Sequence, residues 1–168
     1  MITVWCSLIF SIILLLIDQC SKLIVTQYLT LGESISVIDG FFSLEYIQNK
    51  GAAFGIMQNF RYVFIVLTIC VILLVLMAMF KGKFKNKYLI WSVALILSGG
   101  AGNLIDRIFN NDGYVIDFFK FEFSWFPYIF NFADICVTVG GAILIVYLIY
   151  DLIANWNKNS TKIKKENE

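Results

Sequence analysis

Four stretches of this chain run nearly or wholly far enough without a charged residue to cross a lipid bilayer, which constrains its fold more than any motif does. Tyr62 to Phe80 is the cleanest, 19 uncharged residues bracketed by Arg61 and Lys81, close to the ~20 that a helix needs to span the hydrocarbon core. Tyr88 to Ile105 adds 18 and Ile135 to Tyr150 adds 16. Ile2 to Ile17 adds another 16, carried past Asp18 by apolar residues to Val25. It lacks the basic start of a secretory signal, so a retained helix is expected there rather than a cleaved leader. The chain is 60% hydrophobic with a mean hydropathy of +0.79, against roughly 45–50% apolar residues in a soluble domain. The expected fold is a membrane α-helical protein with four transmembrane helices.

Basic residues set the orientation, because cytoplasmic loops carry excess Lys and Arg. Lys81, Lys83, Lys85 and Lys87 crowd the link between spans two and three, and Lys158, Lys162, Lys164 and Lys165 follow span four. Both segments, and with them both termini, are expected inside. The longer connections, about residues 26–60 and 107–130, then face outward. A single domain over residues 1–155 is expected, followed by a polar, solvated and poorly ordered tail at 156–168.

Composition removes several chemistries. Histidine is absent, which excludes Ser-His-Asp hydrolysis, His-Cys catalysis, HExxH zinc sites and histidine-ligated haem. Lys and Arg total 13 against 12 Asp and Glu, so no broad basic surface serves nucleic acid. Cys6, Cys20, Cys70 and Cys136 sit in apolar runs without CxxC pairing and read as packing residues. Acid–base work falls to Asp, Glu, Lys or Tyr.

The outer segments carry strand patterns. Ser34 to Ile38 meets Asp39-Gly40, a type I′ turn pair, and Phe42, Leu44 and Tyr46 then alternate with Ser43 and Glu45, which predicts a hairpin. Asn110-Asn111-Asp112-Gly113 predicts a turn, with Asp112 a turn residue. Tyr114 to Phe126 then reads as an amphipathic strand or interface segment whose rings suit the headgroup zone.

Acids inside spans demand a partner, a wet cavity or a task. At 1.5 Å per residue Asp18 lies about 26 Å from Met1, Asp106 about 28 Å from Lys87 and Asp134 about 26 Å from Asp151, against a core of ~30 Å. All three fall near the outer rim, where Asp117 joins them, so four carboxylates share one ledge. Asp18 and Lys22 are spaced for an intrahelical ion pair. Asn103 and Asp106, like Asn131 and Asp134, are three apart, so each Asn is placed to bond its Asp. Capping of span four competes as an explanation for Asn131 and Asp134. Small-residue packing accounts for Gly99, Gly100, Gly102, Gly140 and Gly141. The adjacent Asp106 and Arg107 read either as a structural pair or as part of a site. Asp117, between Ile116 and Phe118, has no adjacent cation. Two carboxylates a few ångströms apart share a proton and split their pKa values, which supplies a general base and a general acid for amide hydrolysis.

Five motifs then occur in order: Asp18-Gln19-Cys20-Ser21-Lys22, Asn49-Lys50-Gly51-Ala52-Ala53-Phe54-Gly55, Gly99 to Arg107, Val115-Ile116-Asp117-Phe118 and Phe130-Asn131-Phe132-Ala133-Asp134. Together they resemble bacterial lipoprotein signal peptidase, signal peptidase II. The resemblance implies a membrane aspartic endopeptidase that cuts diacylglyceryl-modified prolipoproteins just before the lipidated cysteine, in the cytoplasmic membrane and at its outer face. It places the catalytic dyad on Asp117 and Asp134. Asp18, Lys22, Asn49, Gly51, Asn103, Asp106, Arg107 and Asn131 match the family's supporting positions. It also implies a small β-sheet cradle at the membrane surface, a lid near Gly55 to Phe60, no metal or organic cofactor, and membrane lipid as a second partner. A monomer is expected. Two other readings stand beside it: a small proton-coupled transporter or channel, and a non-catalytic membrane scaffold whose acids are caps and ion pairs.

Overall fold

The computed structural model describes residues 2–51 and 60–166, with side chains as far as Trp156. Helix α1 covers Ile2–Tyr28, α2 Arg61–Phe80, α3 Lys87–Phe109 and α4 Phe132–Glu166. All four are long and apolar enough to cross a membrane. Their exposed faces are rich in Ile, Leu and Val, as expected where acyl chains rather than water are the surroundings. α3 is the central helix and packs against the other three. Cβ atoms at Gly99, Gly102 and Gly140 would each run into a neighbouring helix, whereas Gly141 has nothing within 4 Å and Gly100 only an ordinary contact with Thr68 at 3.8 Å. Close packing therefore explains three of the five glycines, and the expectation fails for Gly100 and Gly141 because they face away from the tight crossings.

α2 buries only Met79. It meets α3 in an apolar cluster of Met79, Ile90, Val93 and Leu97, against which Val4 and Leu8 of α1 also pack. Among acyl chains these four side chains hold the helices together by van der Waals packing rather than by withdrawal from water.

The connections between α1 and α2 and between α3 and α4 build one antiparallel sheet, ordered β1-β2-β3-β4, from β1 (Ser34–Ile38), β2 (Phe42–Asn49), β3 (Val115–Phe121) and β4 (Ile129–Phe130). It packs on the end of α1 through Val25, Leu29, Tyr46, Ile116 and Phe118. The hairpin forms where expected, but its loop has three residues. Ile38 pairs with Phe42, and the Phe41 N–H donates to the Ile38 carbonyl at 3.0 Å. Gly40 has φ +67°, while Asp112 is the only non-glycine with positive φ among the described residues. Asp39 therefore does not sit in a type I′ turn, which needs positive φ at both central positions. Asp112 does occupy the predicted second turn, in a 3-10 turn at Asn111–Gly113.

The strand after that turn is shorter than the amphipathic pattern suggested. Val115 to Phe118 are buried on both faces, and alternation survives only beyond them. Many of the rings interlock instead of spreading as separate anchors: Phe121 lies within 5.8 Å of Phe41, Phe42, Phe123, Phe126 and Phe130, centroid to centroid. At the other end of the chain the loose tail expected after Asn155 is replaced by helix, because α4 continues to Glu166. No Gly or Pro lies between Gly141 and the end to stop it. Ala52 to Asn59, hence part of the second motif and nearly all of the expected lid, lie outside the described residues.

Candidate active site

Asp117 is placed by a strand irregularity. Between Leu44 and Ile47, β2 contains one residue more than β3 opposite it, so that Ile47 rather than Tyr46 pairs with Asp117. A one-residue bulge reverses which side chains share a face. In unbroken register Gln48 would sit diagonally from Asp117; with the bulge Asn49 takes that place, and its Nδ2 donates to Asp117 Oδ2 at 2.9 Å.

Asp134 is placed by a helix start. Asn131 precedes α4, and its Oδ1 accepts the Asp134 N–H at 2.9 Å while Asp134 Oδ2 accepts the Asn131 N–H at 3.1 Å. This reciprocal arrangement satisfies two of the orphan donors at a helix N-terminus. The capping explanation holds, and the same Asn131 also donates from Nδ2 to Asp117 Oδ1 at 2.6 Å. One carboxamide thus touches both aspartates.

The two acids differ in surroundings. Asp117 is 2% exposed, and burial first, then the Asp134 charge, pushes its pKa up to about 7. The bonds from Asn49 and Asn131 and the Lys22 charge oppose that rise. Asp134 is half-buried and receives Asn103 Nδ2 at 2.9 Å on Oδ1. Both line a cavity of about 610 Å³ with Asn49, Gly51, Asn103 and Arg107 on its polar side. Phe126, Ile129 and Phe130 of the outer segment and Ile135, Val137 and Val139 of α4 supply apolar walls.

The four ledge acids divide into two pairs. Asp117 and Asp134 face the cavity, while Asp18 and Asp106 lie behind it, 2.8 and 2.9 Å from the ammonium of Lys22. The expected Asp18–Lys22 ion pair is present. The expected bond of Asn103 to Asp106 is not: Asn103 turns to Asp134, and Asp106 to Lys22, Gln19 and the Ile116 N–H. Residues three apart on a helix are offset by about 60°, enough to meet different neighbours. Asp106 and Arg107 do not pair either. Arg107 donates to the carbonyls of Asn103 and Gly51 at 3.2 and 3.4 Å, and its guanidinium lies 5.0 Å from the Phe64 ring centroid. The cavity also takes in Thr138 and Tyr128, which carried no motif signal. Gln19 was legible as a motif member, but not its bridge from Asp18 to Asp106 and the Gly102 carbonyl.

Known proteins match the chain in sequence and in fold. Residues 10–150 match the family described as Signal peptidase (SPase) II. The chain is 44% identical over 140 residues to a lipoprotein signal peptidase of Halothermothrix orenii, covering 83% of this chain and 92% of that one. It is 43% identical over 141 residues to one from Fusobacterium nucleatum, covering 83% of each. A bacterial membrane enzyme solved by the in meso method at 2.3 Å resolution superposes with a TM-score of 0.81 at 30% identity, over 88% of this chain and 89% of that one.

Proposed function

Because the chain belongs to the signal peptidase II family, we propose that it removes the signal peptide from diacylglyceryl-modified prolipoproteins through an aspartic dyad, Asp117 and Asp134. The observation that carries this reading is that one residue, Asn131, bonds both carboxyl groups on the wall of one cavity, Asp117 through its side-chain Nδ2 and Asp134 through its backbone N–H. Asp117, buried and pushed up to about 7, holds the proton at rest, and the half-buried Asp134 is the base.

Asp134 takes a proton from water as the water oxygen bonds to the scissile carbonyl carbon, and Asp117 gives its proton to the carbonyl oxygen. The resulting gem-diol collapses: Asp134 passes its proton to the amide nitrogen, the C–N bond breaks to release the amine, and Asp117 recovers the proton of one gem-diol hydroxyl as its oxygen re-forms the C=O of the carboxylic acid. The apolar walls suit the diacylglyceryl chains, whose burial contributes about 0.8 kcal/mol per CH₂ and holds the scissile bond beside the acids. The Lys-rich link between α2 and α3 supports cytoplasmic termini and an outward-facing cleft in a bacterial cytoplasmic membrane. The enzyme works as a monomer without a cofactor. Against a transporter, the opposite half of the bundle is filled by the Met79, Ile90, Val93 and Leu97 cluster.

The test is cleavage of a purified diacylglyceryl-modified prolipoprotein in detergent by the parent, Asp117→Asn and Asp134→Asn. The parent is expected to cut, and each folded variant to show virtually no activity. Cleavage surviving in both variants refutes the dyad, and a parent unable to cut refutes the substrate.

A further inference from the structure

Lys22 sits behind the cavity, 2% exposed, and its ammonium makes three short contacts: hydrogen bonds to Asp18 Oδ2 at 2.8 Å and Asn103 Oδ1 at 3.1 Å, and an ion pair with Asp106 Oδ2 at 2.9 Å. Each recipient reaches one of the two proposed catalytic acids or the residue before it. Asp18 Oδ1 accepts the N–H of Ala133, next to Asp134. Asp106 Oδ2 accepts the N–H of Ile116, next to Asp117. Asn103 donates to Asp134 itself.

An ammonium has no acceptor. It therefore forces the carboxamide of Asn103 to present its oxygen, and the amide NH₂ must point at Asp134. Asn131 Nδ2 also donates to that oxygen at 3.0 Å, which orients a second carboxamide with its NH₂ toward Asp117. Reversing Asn103 would set its NH₂ against Lys22 and its oxygen against the Asp134 carboxylate. Resting on the dyad reading above, we propose that Lys22 is a positioning residue whose three contacts, with Asn103, Asp18 and Asp106, hold both acids of the dyad in register.

The test uses Lys22→Met combined with Asp106→Asn, which keeps the charge of the buried cluster unchanged, beside Asp106→Asn alone. Rates are taken per folded molecule on the diacylglyceryl-modified prolipoprotein. Relative to Asp106→Asn, the pair is expected to lose roughly 10- to 100-fold in kcat, the scale of a misplaced reacting group, with KM within about twofold. Adding Asn103→Ala should cost the pair less than it costs Asp106→Asn alone, since part of what Asn103 contributes runs through the contact with Lys22 that the pair has already lost. Lys22→Gln fills the same space without the donor-only constraint, and the same fall in kcat is expected there. Unchanged kcat in the Lys22 variants, or losses that multiply with Asn103→Ala, overturns the proposal. Asp117→Asn and Asp134→Asn run in the same assay separate the two readings: if they cut, the dyad fails; if they are silent while the Lys22 variants match Asp106→Asn, only the role of Lys22 falls.

Discussion

Asp18 accepts the backbone N–H of Ala133 at 2.9 Å, across 115 positions of sequence. A carboxylate of the first span thus grips the start of the fourth, one residue before Asp134. The contact is available only because α3 is slim where it passes between: a Cβ on Gly102 would run into Asp18 Oδ2 and stand 3.3 Å from Ala133 Cβ.

That crowding predicts a difference between glycines. A Cβ at Gly99 would collide with the Ala133 carbonyl oxygen and lie 2.8 Å from Val137 Cγ2. The carbonyl belongs to the backbone and cannot turn aside, so Gly99→Ala should destabilise by about 1–3 kcal/mol. Gly141→Ala meets nothing within 4 Å and should be neutral or gain up to ~1 kcal/mol of helix propensity. Melting in one detergent, with both variants beside the parent, reads the opposite signs.

Asn131 has two duties that substitution can separate. Serine caps a helix as well as asparagine does, but it is too short to reach Asp117, 2.6 Å beyond the Asn131 amide. Asn131→Ser should therefore keep the cap and lose most cleavage, its melting temperature falling only by what the buried amide bonds to Asn103, Ile116 and Asp117 contributed. Asn131→Ala should lose both, with about 1 kcal/mol of stability attributable to the cap. Full activity in the serine variant would assign Asn131 to capping alone.

Asp117 predicts the pH dependence. Its folded pKa, about 7, is above the ordinary 3.8, so the folded chain keeps a proton that the unfolded chain releases between those values. Stability should fall as pH rises from about 4 to about 7 and level off above, by an amount on the order of a few kcal/mol. Cleavage should decline above about pH 7 as the shared proton is lost. A kcat profile from pH 5 to 9 with one substrate checks it, and activity still rising at pH 9 contradicts it.

Much of this was readable in the chain. The spans, the hairpin between Ser34 and Asn49 and the turn at Asp112 follow from local patterns of hydropathy and turn chemistry. The motif residues around Asp117 and Asp134 were legible too. The pairing among the acids was not: helical spacing tells which residues share a face and says nothing of what lies opposite. The link from Asn49 to Asp117 was hidden for a related reason, since it depends on one extra residue in β2 between Leu44 and Ile47. Arg61 read only as the border of a span, yet it closes the end of α3 by donating to the carbonyls of Arg107 and Ile108 at 2.7 and 2.9 Å.

By itself the sequence determined that four helices cross a bilayer and that carboxylates gather near one rim. Transfer of apolar side chains from water and the cost of an unpaired charge in hydrocarbon both act residue by residue. Only the tertiary structure decided that Lys22 pairs with Asp18 and Asp106 and leaves Asp117 and Asp134 to the cavity. That choice depends on how far each helix is rotated and on the register of a bulged strand, which are set by packing between segments distant in the chain.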